Sequence, residues 1–192
     1  YRLVAFLLTH GQEKLGIKEI EVWGPENGIE RFAYTTLANI VLGVGFALLL
    51  VASYAMHGGQ INGRIGIIWG MAGFAVFTLS PSLGLPPEVP GSAVAELVAR
   101  QGWWLAAAAS TALGLWLVIF REGLLFTLSG LIIIALPHAI GAPHPDEFGS
   151  LVPAALASQF VASSIVISAI FWVMLGWLSG TFYHRYSAKI ET

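Results

Sequence analysis

The amino-acid sequence predicts an all-α, polytopic transmembrane bundle of five full spans, preceded by a truncated first helix. Three observations carry this. Of 192 residues, 56% are hydrophobic and only 10% charged, against about 25% charged in an ordinary soluble domain. The uncharged stretches are long, and a helix needs about 20 apolar residues to cross the hydrocarbon core. They also lack the period-two alternation of an outer-membrane barrel. Helices satisfy their own backbone groups in lipid, so helices are the expected form.

The elements follow in order along a single integral membrane domain, 1–192. The first helix, about residues 1–15, is partial, because Tyr1 opens beside the apolar stretch Leu3–Leu8. No small-residue cleavage site follows that stretch, which argues against a signal peptide; a short interfacial segment is the alternative. Phe32 to Met56 is 25 residues without a charge and predicts a helix over 33–56. Ile65 to Leu85 is 21 and predicts 65–84; Gln101 to Phe120 is 20 and predicts 102–120. Gly123 to Gly141 is 19 and predicts 123–140; Gly149 to Tyr183 is 35, enough for a long or tilted helix over 153–183. Small residues at i, i+4, Gly66 with Gly70 and Gly176 with Gly180, mark places where helix backbones approach closely. The connections are polar or rich in Pro and Gly, as loops are.

Charge placement predicts orientation. The C-terminus and the short loops on its side carry Arg2, Arg64, Arg121, Arg185 and Lys189 against Glu122 and Glu191. The other connections carry four basic residues against nine acids, a split of +3 against −5. This puts the C-terminus in the cytoplasm and the acidic loops outside.

Several chemistries have no support. No cysteine is present, which removes disulfides, iron–sulfur clusters and thiolate metal sites. No phosphate-binding loop, nucleic-acid signature or Ser-His-Asp arrangement is visible, so an enzyme is not expected. None of the five runs has a charge in its middle, unlike the spans of proton-coupled carriers, which bury one. What remains is histidine. His138 and His144 lie in a segment bent by Pro137, Pro143 and Pro145 and followed by Asp146 and Glu147. Neutral imidazole with carboxylate oxygen suits a borderline divalent metal such as Co, Ni or Zn. Glu88 in the preceding outer loop and His10, from the first helix, are further candidate ligands. The alternative is that His138 ends its helix and His144 is a solvated loop residue. His57 and His184, at inner helix ends, read as dipole-complementing or interfacial. Asn39, Gln159 and Ser163 are uncharged polar candidates for lining a path.

The segments Ser80-Pro-Ser-Leu-Gly-Leu-Pro-Pro-Glu-Val-Pro-Gly91, Ala99-Arg-Gln-Gly-Trp-Trp104 and Ala135-Leu-Pro-His-Ala-Ile-Gly-Ala-Pro-His-Pro145 resemble the CbtA family, the predicted cobalt transporter subunit. Gly28-Ile-Glu-Arg-Phe and Phe171-Trp-Val-Met-Leu-Gly-Trp-Leu-Ser-Gly180 resemble it too, over roughly Gly28 to Tyr186. The resemblance implies a bacterial inner-membrane protein that imports cobalt for cobalamin biosynthesis. It implies a small single-span subunit of the CbtB type as partner, besides the lipid bilayer and a homo-oligomer or larger complex. It carries over Pro86, Pro87 and Glu88 in one outer loop, and His138 and His144 in the other.

The first expectation is therefore metal ion transport: a subunit of a cobalt (divalent metal) importer that captures the ion at an outer His/carboxylate site. Cobalt is then substrate, and no tightly bound cofactor is expected. The alternative is an accessory or structural subunit of a larger membrane complex with no transport of its own. A b-type haem carrier would need two facing histidines at one depth, and only His138 with His10, or His57 with His184, offer that.

Overall fold

The computed structural model describes residues 24–89, 92–145 and 153–190, with side chains through Ser187. These residues form helices α1 (Ile29–His57), α2 (Gly63–Phe74), a π-helical turn (Ala75–Leu79), α3 (Ser80–Ser82), α4 (Leu97–Phe120), α5 (Leu124–Ile140) and α6 (Ala154–Ile190). Four helical stretches are long and apolar enough to cross a membrane: α1, α2 through α3 (Gly63–Ser82), α4 and α6. The fifth expected span is α5, with 17 residues, about 25 Å of helix, slightly short of a hydrocarbon core of about 30 Å. The protein is an all-α helical membrane bundle. The proposed first helix and His10 lie outside the described residues, as do Asp146 and Glu147.

Local sequence sets the ends. The Asn62 side chain accepts from the Arg64 and Ile65 amides and starts α2. Glu96 does the same for α4, accepting from Val98 and Ala99 at 2.9 and 2.8 Å. Such caps satisfy amides that have no partner within the helix. These two amides hold the Glu96 carboxyl below its ordinary pKa. α5 ends at Gly141, whose φ of 95° is costly for any residue with a Cβ.

The chain divides into two compact units, Tyr1–Leu42 and Gly43–Thr192. In the second, α2 packs along α6 and α4 along α5. The α2–α6 seam rests on the glycines that the i, i+4 spacing marked. A Cβ on Gly66 would overlap the Gly176 carbonyl oxygen, and one on Gly70 the Trp172 carbonyl oxygen. The α4–α5 seam uses Gly114 and Gly130 in the same way. Close approach is how helices gain van der Waals contact in lipid, where no hydrophobic force draws them together. The buried cluster of this unit is Leu50, Tyr54, Ile61, Phe74 and Trp172, with Tyr54 hydroxyl hydrogen-bonded to Ser179 at 2.9 Å. Phe77 stacks on Trp172, rings 6° apart.

Two expected elements differ. The helix expected over 65–84 is not continuous α-helix, because Pro81 has no N–H to give a helical carbonyl and the chain takes a π turn just before it. The helix expected over 153–183 runs on to Ile190. In the described helices, Asp, Glu, Lys and Arg occur only near the ends, at Glu30, Arg31, Arg64, Arg100, Arg185 and Lys189.

Candidate functional site: a histidine facing two buried hydroxyls

His138 stands two residues from the end of α5 and is half-buried. Its ring is fixed on two sides. Trp103 of α4 meets it edge to face, centroids 5.6 Å apart, and the Trp103 indole N–H donates to the Pro137 carbonyl at 3.3 Å. His138 Nε2 lies 3.1 Å from Ser80 Oγ. Ser80 in turn accepts from the Thr111 hydroxyl at 2.7 Å. Ser80 and Thr111 are 6% and 4% exposed, so this is a polar row inside an apolar bundle. Thr111 lies near the middle of α4, so the row runs from the mouth of the helix pair toward its centre.

Ser80 receives the Thr111 proton and keeps one proton and one lone pair of its own. With the imidazole proton on Nδ1, His138 Nε2 accepts from Ser80; with it on Nε2, the ring donates to Ser80. The π turn is what turns Ser80 this way. A helix rotates about 100° per residue, so the one extra residue of a π turn re-aims everything after it. Within the same turn, Thr78 Oγ1 accepts from Trp172 Nε1 at 3.2 Å.

The connections around this mouth are brought together. A Cβ on Gly84, just past α3, would meet Trp103 and the Ala142 methyl. The loops after α3 and after α5 therefore lie at one end of the bundle, as expected. Beside them a cleft of about 690 Å³ is lined by residues that include Pro86, Pro87, Glu88, Gln101 and Trp104. His144 is exposed in the segment beyond α5. Glu88 is committed elsewhere: its carboxylate pairs with Arg100 at 2.8 Å. Among the described residues no group of three or more His, Asp or Glu is placed to hold a metal ion.

Ser80 and Thr111 were not among the candidates from sequence. Single hydroxyls in apolar runs carry no periodic signal, and a π turn has no sequence mark beyond the proline after it. The uncharged residues singled out for a path, Asn39, Gln159 and Ser163, are all exposed on their helices. His57 lies among aromatics, with ring centroids 5.6 Å from both Trp69 and Phe120, as an interfacial residue does.

The family model described as "Probable cobalt transporter subunit (CbtA)" matches residues 9–184, the bulk of the chain. The match begins well before Gly28, where the resemblance by motif was placed. No curated protein and no solved structure matches significantly.

Proposed function

We propose, since the chain belongs to the CbtA family of probable cobalt transporter subunits, that it admits Co²⁺ through a capture site at the end of the bundle that carries His138 and His144. Asp146 or Glu147 supplies carboxylate oxygen there. Glu88 joins only by exchanging Arg100 for the ion. The observation that carries this reading is the fixed position of His138, an imidazole at the mouth of two packed helices with uncharged hydroxyls behind it. The acidic balance of the connections on that side raises the local concentration of a divalent cation. Capture has to be weak enough for release, since conduction needs both entry and exit. With no charge in the middle of a described span, entry is passive or coupled through a partner subunit of the CbtB type.

In the bacterial inner membrane that the resemblance implies, the C-terminus lies in the cytoplasm, on the strength of the +3 against −5 split. The test is cobalt uptake by cells that depend on this protein and its partner, comparing wild type with His138→Ala and His144→Ala at equal expression. Both variants are expected to lose most uptake. Wild-type rates in both would rule out the histidine site. Absence of uptake by the wild type would leave the accessory-subunit reading instead.

A further inference from the structure

Behind His138 the bundle holds a second set of ligand atoms, deeper than the mouth and made without any charged side chain. The hydroxyls of Ser80 and Thr111 are the first part. The second is a backbone carbonyl. The Ser80 N–H bonds to the Ala75 carbonyl, five residues back, and so does not serve Val76. The π pattern would give the Val76 carbonyl its donor from residue 81, which is Pro81 and has none. Neither the α nor the π ladder therefore satisfies this carbonyl, in a residue only 8% exposed. Backbone that its own helix ladder leaves open inside a membrane protein is tolerated where it lines a cavity. The Val76 carbonyl lies one turn before Ser80, on the side toward the middle of the span.

We infer that His138 Nε2, Ser80 Oγ, Thr111 Oγ1 and the Val76 carbonyl form an intramembrane transit site for a partly dehydrated divalent cation. This rests on the transport reading above and adds where the ion goes after capture. The set is one imidazole nitrogen and three neutral oxygens, which suits a borderline divalent ion. Neutral ligands replace part of the hydration shell without the deep trap that a carboxylate would make.

The tautomer gives the site a direction. With the imidazole proton on Nδ1, which has no hydrogen-bond partner among the described residues, Nε2 presents its lone pair to Ser80. An ion entering the row displaces the Ser80 proton from Nε2. That proton turns away on the hydroxyl, whose oxygen lone pair then meets the ion; no proton leaves the protein. An ion held only at the outer mouth would instead bind Nδ1, with its proton moved to Nε2. The two sites therefore use different nitrogens of one ring.

That difference is the test. Protein labelled with ¹⁵N-histidine is placed in lipid nanodiscs and titrated with Zn²⁺ alone, a diamagnetic borderline ion. Nuclear magnetic resonance then reads which His138 nitrogen takes the metal. Ligation at Nε2 with Nδ1 still protonated is expected. Ligation at Nδ1, or no change at His138, overturns the transit site; ligation at Nδ1 leaves the outer capture site standing. Cobalt uptake gives the second reading. Thr111→Val keeps the shape and removes the hydroxyl, and is expected to lower the maximal rate about tenfold or more, the effect of about 1.4 kcal/mol on the passage step. Half-saturation should stay unchanged, because the mouth is intact. Thr111→Ser restores the hydroxyl and should restore the rate. A Thr111→Val protein that transports at the wild-type rate overturns the transit site, and so does a Thr111→Ser protein as slow as Thr111→Val. Loss of uptake in His144→Ala, a residue outside the transit set, bears on the capture site independently of either result.

Discussion

Adding one methyl group at Gly66 or Gly70 should loosen the α2–α6 seam, because backbone of the facing helix occupies the space it would need. A Cβ at Gly66 would overlap the Gly176 carbonyl and stand 3.0 Å from the Gly180 Cα. At Gly70 it would overlap the Trp172 carbonyl and stand 3.1 Å from the Gly176 Cα. All of these are backbone atoms, so no rotamer change makes room. Ordinary carbon contact is about 4 Å, so the helices must part by roughly 1 Å along the seam. A radial gap of that size already forfeits a quarter to a half of each contact. Overpacking of this kind costs about 1–3 kcal/mol, and the rigid neighbours here favour the upper part of that range, about 2–3 kcal/mol. For a chain of this length that corresponds to a fall in Tm of about 5–10 °C. The assay is thermal unfolding of the purified protein in one detergent, for Gly66→Ala, Gly70→Ala and the control Gly45→Ala. Gly45 lies in α1 with nothing within 4 Å of an added Cβ, so helix propensity alone predicts a gain of about 1 kcal/mol or less. If Gly66→Ala and Gly70→Ala melt like Gly45→Ala, the close approach of α2 and α6 is wrong.

The Glu96 cap should be sensitive to acid. Its carboxyl titrates below its ordinary value of 4.5 in the folded helix, so its contribution is fully present above that value and is lost as pH falls through the lowered folded-state pKa. Hydrogen exchange should show the Val98 and Ala99 amides losing protection in that acid window, and Glu96→Gln should remove the pH dependence; the same acid loss in Glu96→Gln would assign it to another group. A reporter that is active only outside the cytoplasm should stay silent when fused after Thr192, and activity there would reverse the proposed orientation.

Much of the fold was legible because a membrane imposes simple rules. Hydrocarbon excludes charge, so the charge-free runs located the helices, although α4 begins at Leu97 and α6 runs to Ile190, beyond their runs, and polar or Pro-rich segments located the loops. The glycine pairs at i, i+4 also read correctly, since only small residues allow close approach. His138 was legible as a candidate because a second imidazole, His144, and the carboxylates Asp146 and Glu147 follow it in a segment bent by prolines. What stayed hidden was its surroundings. Ser80 is 58 residues from His138 and 31 from Thr111, and separations of that kind are set by which helices pack together. Glu88 shows the same limit: its sequence neighbours gave no sign that Arg100, 12 residues on, would take its carboxylate.

The sequence by itself determined that this chain is a helical membrane protein, where its helices lie, and which family it belongs to. Each of these depends on local composition, spacing or motif. The tertiary structure decided which polar groups face one another. Ser80 looks at His138 because Pro81 withholds a hydrogen bond, the helix answers with a π turn, and that extra residue turns the hydroxyl toward α4 and α5. Packing of α4 along α5 then places Thr111 and His138 on either side of it. In an apolar bundle the few polar side chains must find one another, but three-dimensional packing alone decides which ones do.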